Sequence, residues 1–113
     1  MGARAEGLSR SAFLVMLALA DQPRHGLAIL DRVNEASGGE VKLGPGTLYG
    51  TLQKLAGAGL IRETSNAPDP EDHDPRRRYY KLTPKGEREL KQEASRLRAL
   101  VRAAVAHQVL GDL

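Results

Sequence analysis

The apolar run AFLVMLALA, residues 12–20, requires a fold in which one helix is covered from several sides. It is apolar around almost its whole circumference, so a single neighbour cannot bury it. It is too short to span a bilayer, and DQPRHG follows it in place of a cleavage region. We therefore interpret it as a buried core helix, capped by Ser9 or Ser11 and continuing to about Ala20.

Size and composition indicate one folded domain. The chain has 113 residues, 27% charged and 41% apolar, which suffices for one modest hydrophobic core. The chain has no cysteine, which excludes disulfides, thiolate nucleophiles and zinc–cysteine sites and agrees with a cytoplasmic location. A net charge of +3 and a pI of about 9.5 permit nucleic-acid binding.

Two further helices are predicted before residue 60. The second runs from about His25 to Ala36 and ends at SGG, because glycine readily adopts the left-handed cap conformation. EVKL, residues 40–43, then forms one short strand. Gly44 and Pro45 open a third helix that ends near Gly59. The expected inward positions are Leu27, Leu30 and Val33 with Ile29 beside them, and then Leu48, Leu52 and Leu55.

A two-stranded pattern follows the third helix. LIRETS and RRYYKLT are the strands, and the acidic, proline-rich segment NAPDPEDHDP connects them as a long loop. Strand alternation places Tyr80 and Leu82 on the core face and Tyr79 on the exposed face.

The last predicted helix starts at the Thr83–Pro84 pair and runs to about Val109. Its apolar seam either covers the first helix within the chain or packs against a second copy. Since the first helix is too apolar for one partner, we expect a homodimer in which the last and first helices pack together. The expected interface comprises Phe13, Leu17, Leu90, Ala94, Leu97, Val101, Ala104 and Val105.

The order of elements predicts a mostly α protein with a small β-hairpin, that is, a winged helix-turn-helix plus one long C-terminal dimerisation helix. Residues 1–83 form the winged helix-turn-helix and residues 84–113 the dimerisation helix. In such folds the third helix enters the major groove and the hairpin flanks it on the DNA backbone. The alternative is that the basic run RRR is only a solvated surface. The candidate DNA contacts are Lys42, Thr47, Tyr49, Gly50, Thr51, Lys54, Arg76, Arg77, Arg78 and Tyr79.

Three segments resemble those of PadR-type transcriptional regulators: PRHGLAIL, LGPGTLYGTLQKLAGAGLI and DPRRRYYKLTPKG. The resemblance covers about residues 10–105 and is closest to the branch with a single helix after the wing. It implies a winged-helix DNA binder that dimerises through this helix and usually represses transcription, with residues like Thr47 and Tyr49 against DNA. Gly44, Gly50 and Leu27 depart from the family pattern, which often has serine, a larger residue and an aromatic residue there.

No set of residues favours catalysis, a cofactor or a metal. His25, His73 and His107 have no partner at metal-ligand or nucleophile spacing, and EDHD lacks a calcium-loop pattern. We therefore expect a non-enzymatic protein whose partners are a second copy and double-stranded DNA with an inverted repeat, and not a membrane. A small-molecule effector stays an open possibility without an identifiable polar anchor. A winged-helix interaction module with no DNA role is the alternative.

Overall fold

The helices and strands follow one another in nearly the predicted order in a computed structural model that describes residues 7–65 and 76–112. Within these residues there are four helices and three strands. Their bounds are α1 Arg10–Ala18, β1 Arg24–His25, α2 Gly26–Ala36, α3 Pro45–Gly57, β2 Ile61–Thr64, β3 Tyr79–Leu82 and α4 Pro84–Ala106. This is the predicted winged-helix architecture, except that the short first strand, β1, lies before α2 and not at residues 40–43.

Helix α1 lies at the centre of the core, as its composition predicts. Ser9 is its cap, with the hydroxyl oxygen accepting a hydrogen bond from the amide of Ala12 at 3.1 Å. Val15 and Met16 are completely buried. Helices α2 and α3 cover α1 with the buried side chains Ile29, Val33, Leu48, Leu52 and Leu55.

The sheet links the start of α2 to the wing, which we define as β2, β3 and the segment between them. Strand β3 is central and pairs antiparallel with both β1 and β2. Opposite Tyr79 stand His25 on one side and Thr64 on the other. Residues at the α2 N-terminus are therefore held beside the wing.

The expected strand at residues 40–43 is wrong, since the described backbone there is irregular and the additional strand is β1. Gly38 and Gly39 adopt positive φ angles of 64° and 84° and turn the chain after α2. The Ser37 hydroxyl then accepts a hydrogen bond from the Val41 amide at 3.0 Å. That amide is satisfied locally and does not need a strand partner.

The expected exposure of Tyr79 is also wrong. Tyr79 is 5% exposed and Tyr80 8% exposed, so both tyrosines of β3 are buried. The reason is β1, which places His25 edge-on against Tyr79 with the ring centroids 5.4 Å apart. Leu27 was expected to face inward, but it is 63% exposed. The buried stripe of α2 is formed by Ile29 and Val33.

The first turn of α4 is fixed against the end of α3. The Thr83 hydroxyl donates to the Gly59 carbonyl at 2.6 Å and accepts from the Gly86 amide at 3.0 Å. The Lys85 ammonium donates to the Ala58 carbonyl at 3.0 Å. Gly86 lies directly against the Leu60 carbonyl, where there is no room for a side chain.

Beyond these turns α4 leaves the core and ends at Ala106, three residues before the predicted end. Leu90 is buried, and Glu93 is 6% exposed and held by Arg96 at 2.9 Å. Leu97 and Leu100 are 36% and 59% exposed, which leaves most of the predicted seam uncovered within the chain. Among the described residues, no helix is both long and apolar enough to cross a membrane.

Candidate nucleic-acid interface

Helix α3 presents a polar face away from the core. Gly44 caps it without a side-chain hydrogen bond and Pro45 occupies its first turn. With the three leucines facing inward, the other side carries the predicted contact residues. Thr47, Lys54 and Tyr49 are exposed, the last by 53%, while Gly50 and Thr51 are half-buried, and Lys42 is exposed in the segment before the helix.

The three wing arginines are exposed immediately before β3. Arg78 lies 3.8 Å from the carboxylate of Glu63 on β2. An exposed ion pair at this distance contributes about 0–1 kcal/mol, so it holds the side chain only weakly. A side-chain hydrogen bond also links Arg78 to the buried Tyr80, while the arginine remains exposed to solvent.

One cleft of about 400 Å³ joins α3 to the wing. Its lining combines Tyr49 with the wing arginines and with the N-terminus of α2. The lining residues are His25, Gly26, Leu27, Tyr49, Arg76, Arg77 and Arg78. The structure thus brings together four of the residues that the sequence predicts as DNA contacts, while Lys42, Thr47, Gly50, Thr51 and Lys54 are outside this cleft lining.

Gly26 allows the phenol of Tyr49 to approach the backbone of α2. A Cβ atom at this position would stand 3.3 Å from the Tyr49 hydroxyl oxygen and 3.5 Å from Leu48 Cδ2. Glycine therefore leaves the space in which Tyr49 closes one side of the cleft.

His25 is a cleft residue that the sequence reasoning treated only as the start of a helix. Its Nδ1 lies 3.4 Å from the Ala28 amide, which it caps, and its Nε2 lies 3.2 Å from Nη1 of Arg77. Burial and, secondarily, the positive charge of Arg77 lower the pKa of His25, while Asp31 opposes the shift. The neutral form of the imidazole is thus favoured over the imidazolium beside the Arg77 cation. In the sequence, the signal for this role was the position of His25 directly before a glycine and an apolar helix.

Tyr79 packs behind His25 and supports the cleft without lining it. Its burial contrasts with the exposed arginines that precede it.

No group of three or more histidine, cysteine, aspartate or glutamate side chains suited to a metal occurs within residues 7–65 and 76–112. The EDHD cluster of the acidic loop falls outside those ranges.

A comparison with protein families identifies the family of this chain. The sequence profile of the transcriptional regulator PadR-like family matches residues 15–92. The chain is 42% identical over 81 residues to an uncharacterized 37.1 kDa protein in a transposon from Streptomyces fradiae, a match that covers 72% of this chain. It spans only 21% of the length of that relative.

Solved structures show the same fold. A PadR family transcription regulator from hypervirulent Clostridium difficile superposes with a TM-score of 0.72 at 27% identity, over 91% of this chain and 100% of that one. Bacillus subtilis PadR in complex with operator DNA gives a TM-score of 0.61 at 20% identity, over 75% of this chain and 46% of that one. At 20% identity, the similarity to Bacillus subtilis PadR shows a shared fold alone.

Proposed function

Because this chain belongs to the PadR-like family of transcriptional regulators, we propose that it is a dimeric, sequence-specific DNA-binding repressor. The observation that carries the proposal is the cleft in which Tyr49 of α3 meets the arginines of the wing. Positive side chains beside an exposed helical face are the arrangement that a winged helix needs to contact the backbone and the major groove together.

In this proposal α3 is the recognition helix. The hydroxyls of Thr47 and Thr51 and the ammonium of Lys54 contact base edges and phosphates. Gly50 lets the helix backbone approach the DNA closely, and Lys42 contacts the backbone from the segment before the helix.

The wing supplies the contacts that do not depend on sequence. Arg76, Arg77 and Arg78 bind phosphates on the flank of the groove. Tyr79 differs from its sequence-based assignment: because it is 5% exposed, we propose that it positions His25 and does not itself contact DNA.

The dimer in this proposal forms through α4 and α1. The exposed side chains Leu97 and Leu100 of α4 follow the buried Leu90 along the helix. Leu17 on α1 is 41% exposed. Burying them against a second copy removes apolar surface from water and gives a twofold axis. Two recognition helices then stand about 34 Å apart, which predicts an inverted-repeat site. Bacillus subtilis PadR, which has this fold, was solved with operator DNA. Action on genomic DNA places the protein in the cytoplasm.

Genome-wide mapping of bound DNA followed by footprinting tests the proposal. The expected result is protection of inverted repeats, including one near the gene for this protein, with weaker discrimination between sites when Thr47 and Thr51 are changed to alanine. Binding sites without any shared repeat, or no bound DNA, would contradict sequence-specific recognition. In that case the winged helix acts as a protein-interaction module.

A further inference from the structure

We propose that the space between His25 and Arg77 holds one phosphate of the DNA backbone, to which the imidazole of His25 donates a hydrogen bond. The inference rests on the proposed DNA-binding function and adds to it a ligand group, a residue and a dependence on pH. It concerns a residue outside both the recognition helix and the wing.

The position of His25 is fixed by three contacts. Its backbone pairs with Tyr79 in the sheet. Its ring stands edge-on to the Tyr79 ring at an interplanar angle of 87°. Its Nδ1 faces the Ala28 amide as the cap of α2. These contacts hold the ring while Nε2 faces Arg77 within the cleft.

The contacts of His25 with the Ala28 amide and Arg77 lack one hydrogen-bond acceptor. A neutral imidazole carries one N–H. If Nδ1 accepts from the Ala28 amide, then Nε2 carries the proton and faces an Arg77 N–H at 3.2 Å. If Nε2 instead accepts from Arg77, then Nδ1 carries the proton and faces the Ala28 amide. In either tautomer, two donors face each other.

An anionic oxygen resolves this conflict. Placed between Nε2–H and the guanidinium of Arg77, it accepts from both and leaves Nδ1 free to cap α2. Hydrogen bonds between charged donors and phosphate oxygens are among the stronger ones in proteins. Because Arg77 is exposed, its side chain can move aside to admit the oxygen.

The surroundings of His25 favour an anion over a cation. Arg76, Arg77 and Arg78 line the cleft from the wing and Tyr49 lines it from α3. The ring of Tyr79 backs the imidazole from β3. Asp31 on α2 is the acidic group whose charge acts on His25. The volume of about 400 Å³ is ample for a phosphodiester group.

Phosphate binding would couple DNA affinity to protonation of His25. In the free protein, burial and Arg77 keep the pKa of His25 below its ordinary value of 6.5. A phosphate beside Nε2 stabilises the imidazolium and raises that pKa in the complex. DNA affinity therefore increases as the pH falls from the pKa of the complex to that of the free protein, and is level outside this window.

The test measures the dissociation constant of the full chain for a mixed-sequence DNA duplex at fixed ionic strength between about pH 8 and about pH 5.5. The variant is His25→Asn, because asparagine preserves the cap of α2. The control is His107→Asn, at the exposed C-terminal end of α4. We expect the wild type and the control to bind more tightly as the pH falls, by up to about tenfold per pH unit for each His25 that contacts a phosphate. We expect His25→Asn to bind several-fold more weakly at the acidic end and to lose this added tightening.

Equal affinities and equal pH profiles for His25→Asn and the wild type would overturn the inference while leaving the proposed function intact. If the wild type binds neither this duplex nor any genomic site at any pH, the proposed function fails and this inference fails with it.

A second measurement does not depend on a variant. Titration of the histidine ring protons by NMR, with and without the duplex, should show the pKa of His25 rising on DNA binding. A His25 pKa that falls or stays unchanged when the duplex binds would overturn the inference.

Discussion

Gly86 occupies a position in α4 where no side chain fits. A Cβ atom there would collide with the carbonyl oxygen of Leu60 and stand 2.9 Å from its carbonyl carbon. These are backbone atoms, so the contact cannot be relieved by a rotamer change. We expect Gly86→Ala to lower the free energy of unfolding by about 1–3 kcal/mol, measured by urea denaturation.

Gly50 provides the matched control for this prediction. It is also a helical glycine, but a Cβ atom there would meet nothing within 4 Å. Gly50→Ala should therefore raise stability by about 0.5–1 kcal/mol through helix propensity. Equal effects of the two substitutions would show that α4 is not packed against Leu60 as described.

His25 also makes a prediction for the protein without DNA. Since its pKa in the folded state lies below the ordinary value of 6.5, the unfolded chain binds more protons between the two pKa values. The contribution of neutral His25 to the free energy of unfolding is complete above pH 6.5 and is lost as the pH falls through the folded-state pKa. Denaturant unfolding at about pH 7.5 and about pH 5.5 should show a loss of stability on acidification that is smaller in His25→Asn. An equal loss in both proteins would contradict the described environment of His25.

At the scale of elements, hydrogen bonds connect the segment that follows α3 to the first turn of α4. Thr83→Ala removes the cap of α4 and the hydrogen bond to Gly59. We expect it to lower the free energy of unfolding by about 0.5–2 kcal/mol. Thr83→Ser retains the hydroxyl and should remain near the wild type. If serine is no better than alanine, the hydroxyl does not make these bonds.

Patterns local in sequence predicted most elements correctly. The leucine stripe of α3, the apolar circumference of α1 and the Thr83–Pro84 start of α4 each depend on neighbours a few residues away. The polar face of α3 and the exposed wing arginines were predicted for the same reason.

The errors on Tyr79 and His25 have one non-local cause. Strand β1 contains only two residues, and it exists because Arg24 and His25 pair with Tyr80 and Tyr79, more than fifty positions further along the chain. No periodicity can reveal a strand so short. Without it, Tyr79 was expected to be exposed and His25 was not associated with the wing. The cleft was therefore only half predicted, from its α3 and wing residues.

At the scale of the whole molecule, the uncovered seam of α4 predicts self-association. Leu97→Glu places a charge in the proposed dimer interface, and twofold symmetry doubles the effect. We expect the dimer to weaken by roughly 100-fold or more, since each buried leucine contributes about 1.5–3 kcal/mol. Ser95→Glu adds the same charge at an exposed position outside the seam. Sedimentation equilibrium should detect dissociation in the first variant alone. A monomeric wild type would contradict the proposed dimer.

The salt dependence of DNA binding tests the proposed DNA contact most directly. Each phosphate contact contributes about 0.9 to the slope of log affinity against log salt concentration. Changing Arg76, Arg77 and Arg78 together to alanine should lower affinity for all sequences and make the slope of the dimer markedly shallower. The charge-matched control changes Arg88, Arg98 and Arg102, which are exposed on α4 outside the seam, and should retain the wild-type slope. An unchanged affinity and slope in the wing variant would contradict the assignment of the wing to DNA.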